Sequence, residues 1–525
     1  MFNFRPLFFT ALFLCFGILF GYFVYAAGMN VGFAALPLTV VLLFVLFAEN
    51  KKRAGLFALA LVFAFSLGNA TFSLSVGEFE RAEAVDGYYT VEGRIVERSV
   101  GGENAIIVVS ALSLDGEAVK GRMIAYLPAS YNGALRLSDT VRFTSHVHVN
   151  IQTSNVYGFR AEAIAKDNRF SAGRVEKIEV TGHKTDLFFA VRERIVQTVQ
   201  AGMDETPAAV TLAVLLGDTS AIDEGLLENI RYGGIAHVFA VSGLHVGSLF
   251  ACFVALIKKT RLKGLPPLAR FLVVAALLLF YGGVCGYSAS VIRASVTCLA
   301  LYAYKLLGLK SDGLENLSLA VICVLIVNPT QLFGVGFQLS FAASYGIALL
   351  SRPIRESVGG LFEKSARQKE RLDYFREEQP PTLWEKNWRG AIDFFAVSLS
   401  AQAFTWPILL LNFGYLSAAG LLLNCLFVPL LSAVFFPLLC FVAVASLVAA
   451  FESVLLLAPN LLLSAMLLLF QAVEFSTVFA GATLSVGGVL SYYGALLFCI
   501  DKWNVSKLQK LMSVVVFLIA FFICL

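Results

Sequence analysis

The chain has 525 residues, of which 58% are hydrophobic and 14% charged, with a mean hydropathy of +0.77. A soluble domain carries about 25% charged residues, and so few charges do not cover this much apolar surface in water. The composition excludes a soluble enzyme and a disordered chain, and a net charge of +4 does not by itself imply a nucleic-acid partner.

Three apolar runs open the sequence, at about 7–26, 31–48 and 55–75. Each is about long enough to span a ~30 Å hydrocarbon core. Arg5 ahead of the first run resembles the start of a signal peptide, but the runs that follow predict a retained membrane helix. From about 77 to 185 the chain turns polar, with alternating β-branched stretches such as 89–97, 105–109, 122–127 and 140–145. Asp86-Gly87, Gly101-Gly102, Asp115-Gly116 and Asn132-Gly133 punctuate them as turns. About five short strands at such spacing predict a small β-barrel or sandwich. Helical patterns follow over 187–201 and 208–216, and the membrane pattern then continues to Leu525. The nine cysteines all lie in apolar runs without C-x-x-C spacing, which reads as packing, with no disulfide framework or zinc signature. The expected units are a three-helix membrane region (1–76), a β-domain (77–185), a helical connector with amphipathic character (186–231), and a second membrane domain (232–525) with a cytoplasmic loop at 352–390.

Basic loops set the orientation. Lys51-Lys52-Arg53 should be cytoplasmic, which puts Arg5 inside and the β-domain outside. The groups at Lys258–Arg270, Lys305 with Lys310, and 352–390 fall inside by the same parity. After 390, Pro407, Pro429, Pro437 and Pro459 predict broken or partly inserted helices.

The β-domain divides by charge. Residues 78–117 hold nine acidic and three basic side chains; residues 120–184 hold five acidic and ten basic. If the second half forms one face, that face is basic, and aromatic residues accompany it. A basic groove with aromatic platforms suits single-stranded nucleic acid. Its candidate contacts are Lys120, Arg122, Tyr126, Arg136, Arg142, Arg160, Lys166 and Arg169. His146 and His148 share one face of a strand, but no acid or thiol in the same segment completes a metal site, so solvated histidines are the simpler reading.

The sharpest segment is Gly233 to Gly247, which places His237, Ser242, Gly243 and His245 where the chain enters the membrane. Polar residues there line cavities or face the interior of a bundle. Ser242 and His245 have the i,i+3 spacing of a nucleophile and base, without an acidic partner or a G-x-S-x-G context. Arg293 lies within an apolar helix and needs an acceptor or an anion; a phosphate-bearing substrate would supply one, as would backbone carbonyls. Gln338, Ser340, Gln402, Asn412 and Asn424 add to a hydrated interior.

Gly234-Ile-Ala-His-Val-Phe-Ala-Val-Ser-Gly-Leu-His-Val246 resembles the signature of the ComEC family of bacterial DNA-uptake channels. Supporting matches run in order: Leu215-Leu-Gly-Asp218, Ser290-Val-Ile-Arg-Ala294, Asn328-Pro329, Gly336-Phe-Gln-Leu-Ser-Phe341, and Asn424 with Pro429. The resemblance covers nearly the whole chain and implies an OB-like outer domain. Many family members carry a metallo-β-lactamase-like domain; its H-x-H-x-D-H motif does not occur here, so a short form is expected.

The resulting expectation is a polytopic α-helical protein of about 10–13 membrane segments with an inserted extracytoplasmic OB-like barrel. It would conduct single-stranded DNA across the cytoplasmic membrane along His237, Ser242, Gly243, His245, Arg293, Gln338, Gln402 and Asn424. No catalytic group, metal or cofactor is assigned. The chain has no phosphate-binding G-x-x-x-x-G-K-[ST] loop, so the implied partners are an outer DNA receptor, a cytoplasmic ATP-driven helicase or strand-binding protein, and a separate nuclease if one strand is degraded. Two other classes stay open: a small-solute or polysaccharide transporter with an outer sensory domain, and a membrane-embedded serine hydrolase.

Overall fold

The first and third apolar runs form α1 (Pro6–Ala26) and α2 (Lys52–Ala82) in the computed structural model. The model describes residues 5–26, 52–82, 85–101, 104–128, 131, 135–136, 138–149, 168–183, 186–235, 237, 241–370, 383–417, 420–448, 451–471, 477–480 and 486–499. The expected helix at 31–48 lies outside the described residues. The ring pairs Phe9–Phe57 and Phe20–Phe65 show that α1 and α2 run parallel. A Cβ at Gly17 would meet the Phe65 carbonyl and one at Gly68 the Leu14 carbonyl, so these two small residues bring the helices together.

The polar stretch folds as a barrel. Its strands are β1 (Gly87–Gly101), β2 (Asn104–Leu114), β3 (Glu117–Val119), β4 (Arg122–Pro128), β5 (Asp139–Val149), β6 (Asn168–Arg174) and β7 (Glu179–His183). Five of them close a ring in the order β1-β2-β4-β6-β5 and back to β1, with β3 on β2 and β7 on β5. The β4–β6 pair is parallel and the others are antiparallel. Alternation explains the closure: β5 turns Val141, Phe143, Val147 and Val149 inward, and Arg142, Thr144, His146 and His148 outward. Ile95, Ile107, Met123, Leu127 and Phe170 complete a core with no solvent contact. The Asp115-Gly116 turn between β2 and β3 has φ of 50° and 90°, the left-handed pair that a tight hairpin requires.

The connector consists of α3 (Leu187–Gly202), α4 (Glu205–Leu216) and α5 (Glu224–Tyr232). The Asp186 carboxylate accepts the Phe188 amide at 3.1 Å and starts α3. The expected amphipathic character does not extend to α4, which is buried from Pro207 to Leu216: its Ala-, Val- and Leu-rich sequence has no polar stripe. Gly217, at φ 74°, ends it. Arg192 of α3 then ties the region together, donating to the Leu216 and Val284 carbonyls at 3.3 Å each and to Asp218 at 3.0 Å.

The remaining elements are α6 (Gly243–Lys259), α7 (Pro267–Val284), α8 (Ala289–Leu306), α9 (Gly313–Val327), α10 (Val335–Glu370), α11 (Leu383–Phe413), β8 (Tyr415–Ser417), α12 (Gly420–Leu447), α13 (Glu452–Gln471), β9 (Thr477–Ala480) and α14 (Val486–Cys499). Among the described residues, five helices are long and apolar enough to cross a membrane: Pro6–Tyr25, Phe57–Gly77, Pro267–Val284, Gly390–Phe413 and Gly420–Leu447. Others are shorter apolar helices, such as Gly313–Val327 and Glu452–Leu468. Helix α6 starts at Gly243, the polar stretch 352–390 is helical to Glu370 and again from Leu383, and a small β8–β9 sheet appears. Pro407, Pro429, Pro437 and Pro459 sit inside continuous helices, because packed neighbours compensate for a missing amide.

Two large apolar cores sit among the helices, beside a small one of Leu314, Leu349, Leu350 and Phe404. One joins α3 to α8 with α12 and α13; the other joins α1, α2, α9 and the start of α10. Helix α8 belongs to both: Val291, Ala294 and Cys298 face the first, while Ala289, Ile292 and Val296 pack on the second.

Candidate nucleic-acid path

Arg293 projects from this shared helix. Its Nε donates to Ser340 Oγ at 2.8 Å and its Nη1 to Ser344 Oγ. The two serines are one turn apart on α10 and so share a face. Between them in sequence, Phe341 lies 5.9 Å from the guanidinium carbon. Ser290 Oγ joins the group, 3.2 Å from Ser340 Oγ. On the other side, a Cβ at Gly243 would collide with Arg293 Nη2, so the guanidinium reaches the first residue of α6 only because that residue is glycine. No carboxylate pairs with Arg293 among the described residues. The start of a helix carries partial positive charge. A cation and the positive end of α6 therefore face each other, with hydroxyl dipoles and the Phe341 ring to compensate.

His245 has a different surrounding. It is 1% exposed, and its Nδ1 accepts the Ser242 backbone amide at 3.2 Å. Its ring stacks on Phe435 of α12, with centroids 4.6 Å apart and planes at 17°. An accepting Nδ1 leaves the proton on Nε2, which is buried without a partner among the described residues. Ser242 and His245 thus form a helix cap in which the imidazole meets the serine's backbone, which is not a nucleophile–base contact. His237 lies just ahead, and residues 236 and 238–240 around it lie outside the described residues.

The other expected path residues do not gather around Arg293. Gln338 donates to the Leu332 carbonyl at 3.0 Å and closes the turn Pro329–Phe333. Gln402 of α11 and Asn424 of α12 each bury a side-chain oxygen without a partner among the described residues. These groups mark a separate polar seam on α11 and α12. Ser344 was missed in the sequence, although it stands four residues after Ser340 and so on the same helix face. Arg192 was also missed; nothing in its local sequence marks it as the partner of two helix ends.

Some basic side chains of the barrel's second half meet acidic ones. Arg122 meets Glu97 at 3.0 Å, Arg142 meets Glu92 at 2.5 Å, and Arg136 approaches Glu193 of α3 at 3.9 Å. The single basic face expected from charge counts is therefore laced with carboxylates. The β1–β5 register causes this by placing Glu92 opposite Arg142. Arg169 packs over Gly121, Tyr126 lies opposite Arg174, and Lys120 precedes β4. Arg160 and Lys166 lie outside the described residues.

Comparison with known proteins places this geometry. The chain is 28% identical over 246 residues to ComE operon protein 3 of Bacillus subtilis, covering 46% of this chain and 27% of that protein. It is 29% identical over 297 residues to competence protein ComA of Neisseria gonorrhoeae, covering 54% of this chain and 41% of that one. Both matches span less than half of the relative. No solved structure matches. The profile of the family described as Competence protein covers residues 214–505, more than half of the chain, including α6, Arg293 and both serines. The chain belongs to the Competence protein family.

Proposed function

We propose that this protein is a channel for single-stranded DNA across the cytoplasmic membrane during natural transformation. The observation that carries the proposal is Arg293, a guanidinium without a carboxylate partner among the described residues, held by Ser340 and Ser344 against the start of α6. A passing phosphate is the anion that such a site accommodates. The barrel is read as OB-like and extracytoplasmic; its closed order with one parallel pair, and the basic loops of the helical region, support that reading. A DNA receptor outside, an ATP-driven helicase or strand-binding protein inside, and a separate nuclease are the partners that a passive conduit requires.

Arg293→Ala tests the proposal through transformation frequency at equal membrane abundance. Loss of a charged hydrogen-bonding group costs about 1.5–3 kcal/mol, or roughly ten- to a hundredfold. Arg293→Lys, which keeps the charge but not the fork, should fall between. Gly243→Ala displaces the guanidinium and should reduce uptake with the arginine still present. Wild-type transformation by Arg293→Ala overturns the proposal.

A further inference from the structure

The barrel carries three rings that the charge argument leaves aside. Tyr88 of β1 stands directly opposite His146 of β5, and His148 follows on the same outward face. The Tyr88 and His146 rings are 5.1 Å apart at 84°, and the two imidazoles are 6.2 Å apart at 37°. Tyr88 is 78% exposed, an unusual cost for so large a ring. A perpendicular contact covers at most one face of a ring, so His146 holds Tyr88 in place and leaves a face open. Asp86 Oδ1 lies 3.6 Å from His146 Nε2 and steadies the imidazole.

We propose that Tyr88, His146 and His148 form a stacking ladder for the unpaired bases of a nucleic-acid strand. The inference rests on the DNA reading above and assigns the base contact to these rings rather than to the basic residues. Charge pairing supports it: further along the same two strands, Arg142 is already matched by Glu92, whereas Tyr88 keeps an exposed ring face. Chemistry favours bases over lipid. A membrane-anchoring tyrosine keeps aliphatic or indole neighbours, but Tyr88 has two imidazoles and a carboxylate beside it, with Thr90 and Thr144 in the next outward row. It also favours bases over a metal, since no group of three ligating side chains occurs among the described residues. Position fits as well. The ladder lies just beyond the end of α2 at Ala82, where the chain leaves the helical region for the barrel.

The test uses the full chain in lipid nanodiscs and fluorescence anisotropy. Two probes of equal length are titrated: an oligothymidylate, and an abasic strand with the same sugar–phosphate backbone. Tyr88→Ala and His148→Ala should each weaken oligothymidylate binding by about tenfold and leave the abasic strand unaffected. Tyr88→Phe and Tyr88→Trp should bind as the wild type does, which separates stacking from loss of the fold. The ladder is overturned if Tyr88→Ala binds oligothymidylate normally, or if it loses both probes equally while Tyr88→Phe keeps them. It is also overturned if His148→Ala binds oligothymidylate as the wild type does. Failure of the wild type to bind either strand removes the DNA reading itself, and the ladder with it.

Discussion

His245 sits at the third position of α6, where glutamate or glutamine commonly closes a capping box, and its imidazole takes that role through Nδ1. His245→Ala should lower the melting temperature in detergent, since a lost cap costs about 1 kcal/mol and the lost Phe435 stack adds a cavity. His245→Gln should recover part of that loss, because an amide oxygen can accept the same bond. A His245→Gln protein that melts normally but no longer supports transformation would contradict the capping account. The sequence showed the residues of this segment but not their use. Spacing alone puts Ser242 and His245 on one side of a helix; it does not say whether the imidazole meets the hydroxyl or the amide. That depends on where the helix begins, and the helix begins at Gly243. Arg293 was legible because a charge in an apolar run has few explanations. Its contact with Gly243 was not, since fifty residues separate them.

Among the elements, α9 has the most explicit fastening. Asp312 caps it through the Leu314 and Glu315 amides and pairs with Arg5 at 2.6 Å, while Glu315 accepts the Leu7 amide at 3.1 Å. Burial alone would raise the Asp312 carboxyl, but the bonds from Arg5 and from the Glu315 and Leu314 amides hold it below its ordinary value. The stabilisation is thus present at neutral pH, above the unfolded carboxylate value, and is lost as pH falls through the folded one. Melting curves of wild type and Asp312→Asn should differ at neutral pH and converge as acid protonates the wild-type carboxyl; a constant gap would contradict this. The pair also sets Arg5 at the same end of the bundle as Lys305 and Lys310, as the charge parity requires. Strands β1, β2, β4 and β5 were legible from alternation, whereas β3, β6 and β7 were not. Their order was not, because it depends on which strands close the ring, and the same register that closes it set acid against base.

Across the whole molecule, α3 is where barrel and bundle meet. Toward the barrel, Arg94 lies over the Phe189 ring at 5.6 Å and 4.0 Å from Asp186. A cavity of about 260 Å³ beside it is lined by Arg136, His183, Phe189 and Gln197. Toward the bundle, Arg194 donates to the Ser446 carbonyl at 2.9 Å and meets Glu452 at 3.3 Å. Arg94→Ala removes a contact between the barrel and α3 and should speed proteolytic cleavage between 183 and 187, read on a gel as an N-terminal fragment that carries α1, α2 and the barrel; an unchanged cleavage rate would show that Arg94 does not hold the barrel. The division into apolar helices and one polar insert was legible from composition. The sharing of α8 between two cores was not, since no local pattern records which of its faces meets which neighbour.

The barrel is inserted between α2 and α3, so the chain holds it at two places and not at one. A body on a single tether can turn about three axes. Fixed at two points, it keeps rotation only about the line that joins them. Where the two attachments hold as pivots, movement of the barrel relative to the helices is a swing about the line from Ala82 to Leu187, like a door on its pins. Whatever the Tyr88 ladder holds would be carried along an arc whose radius is its distance from that line.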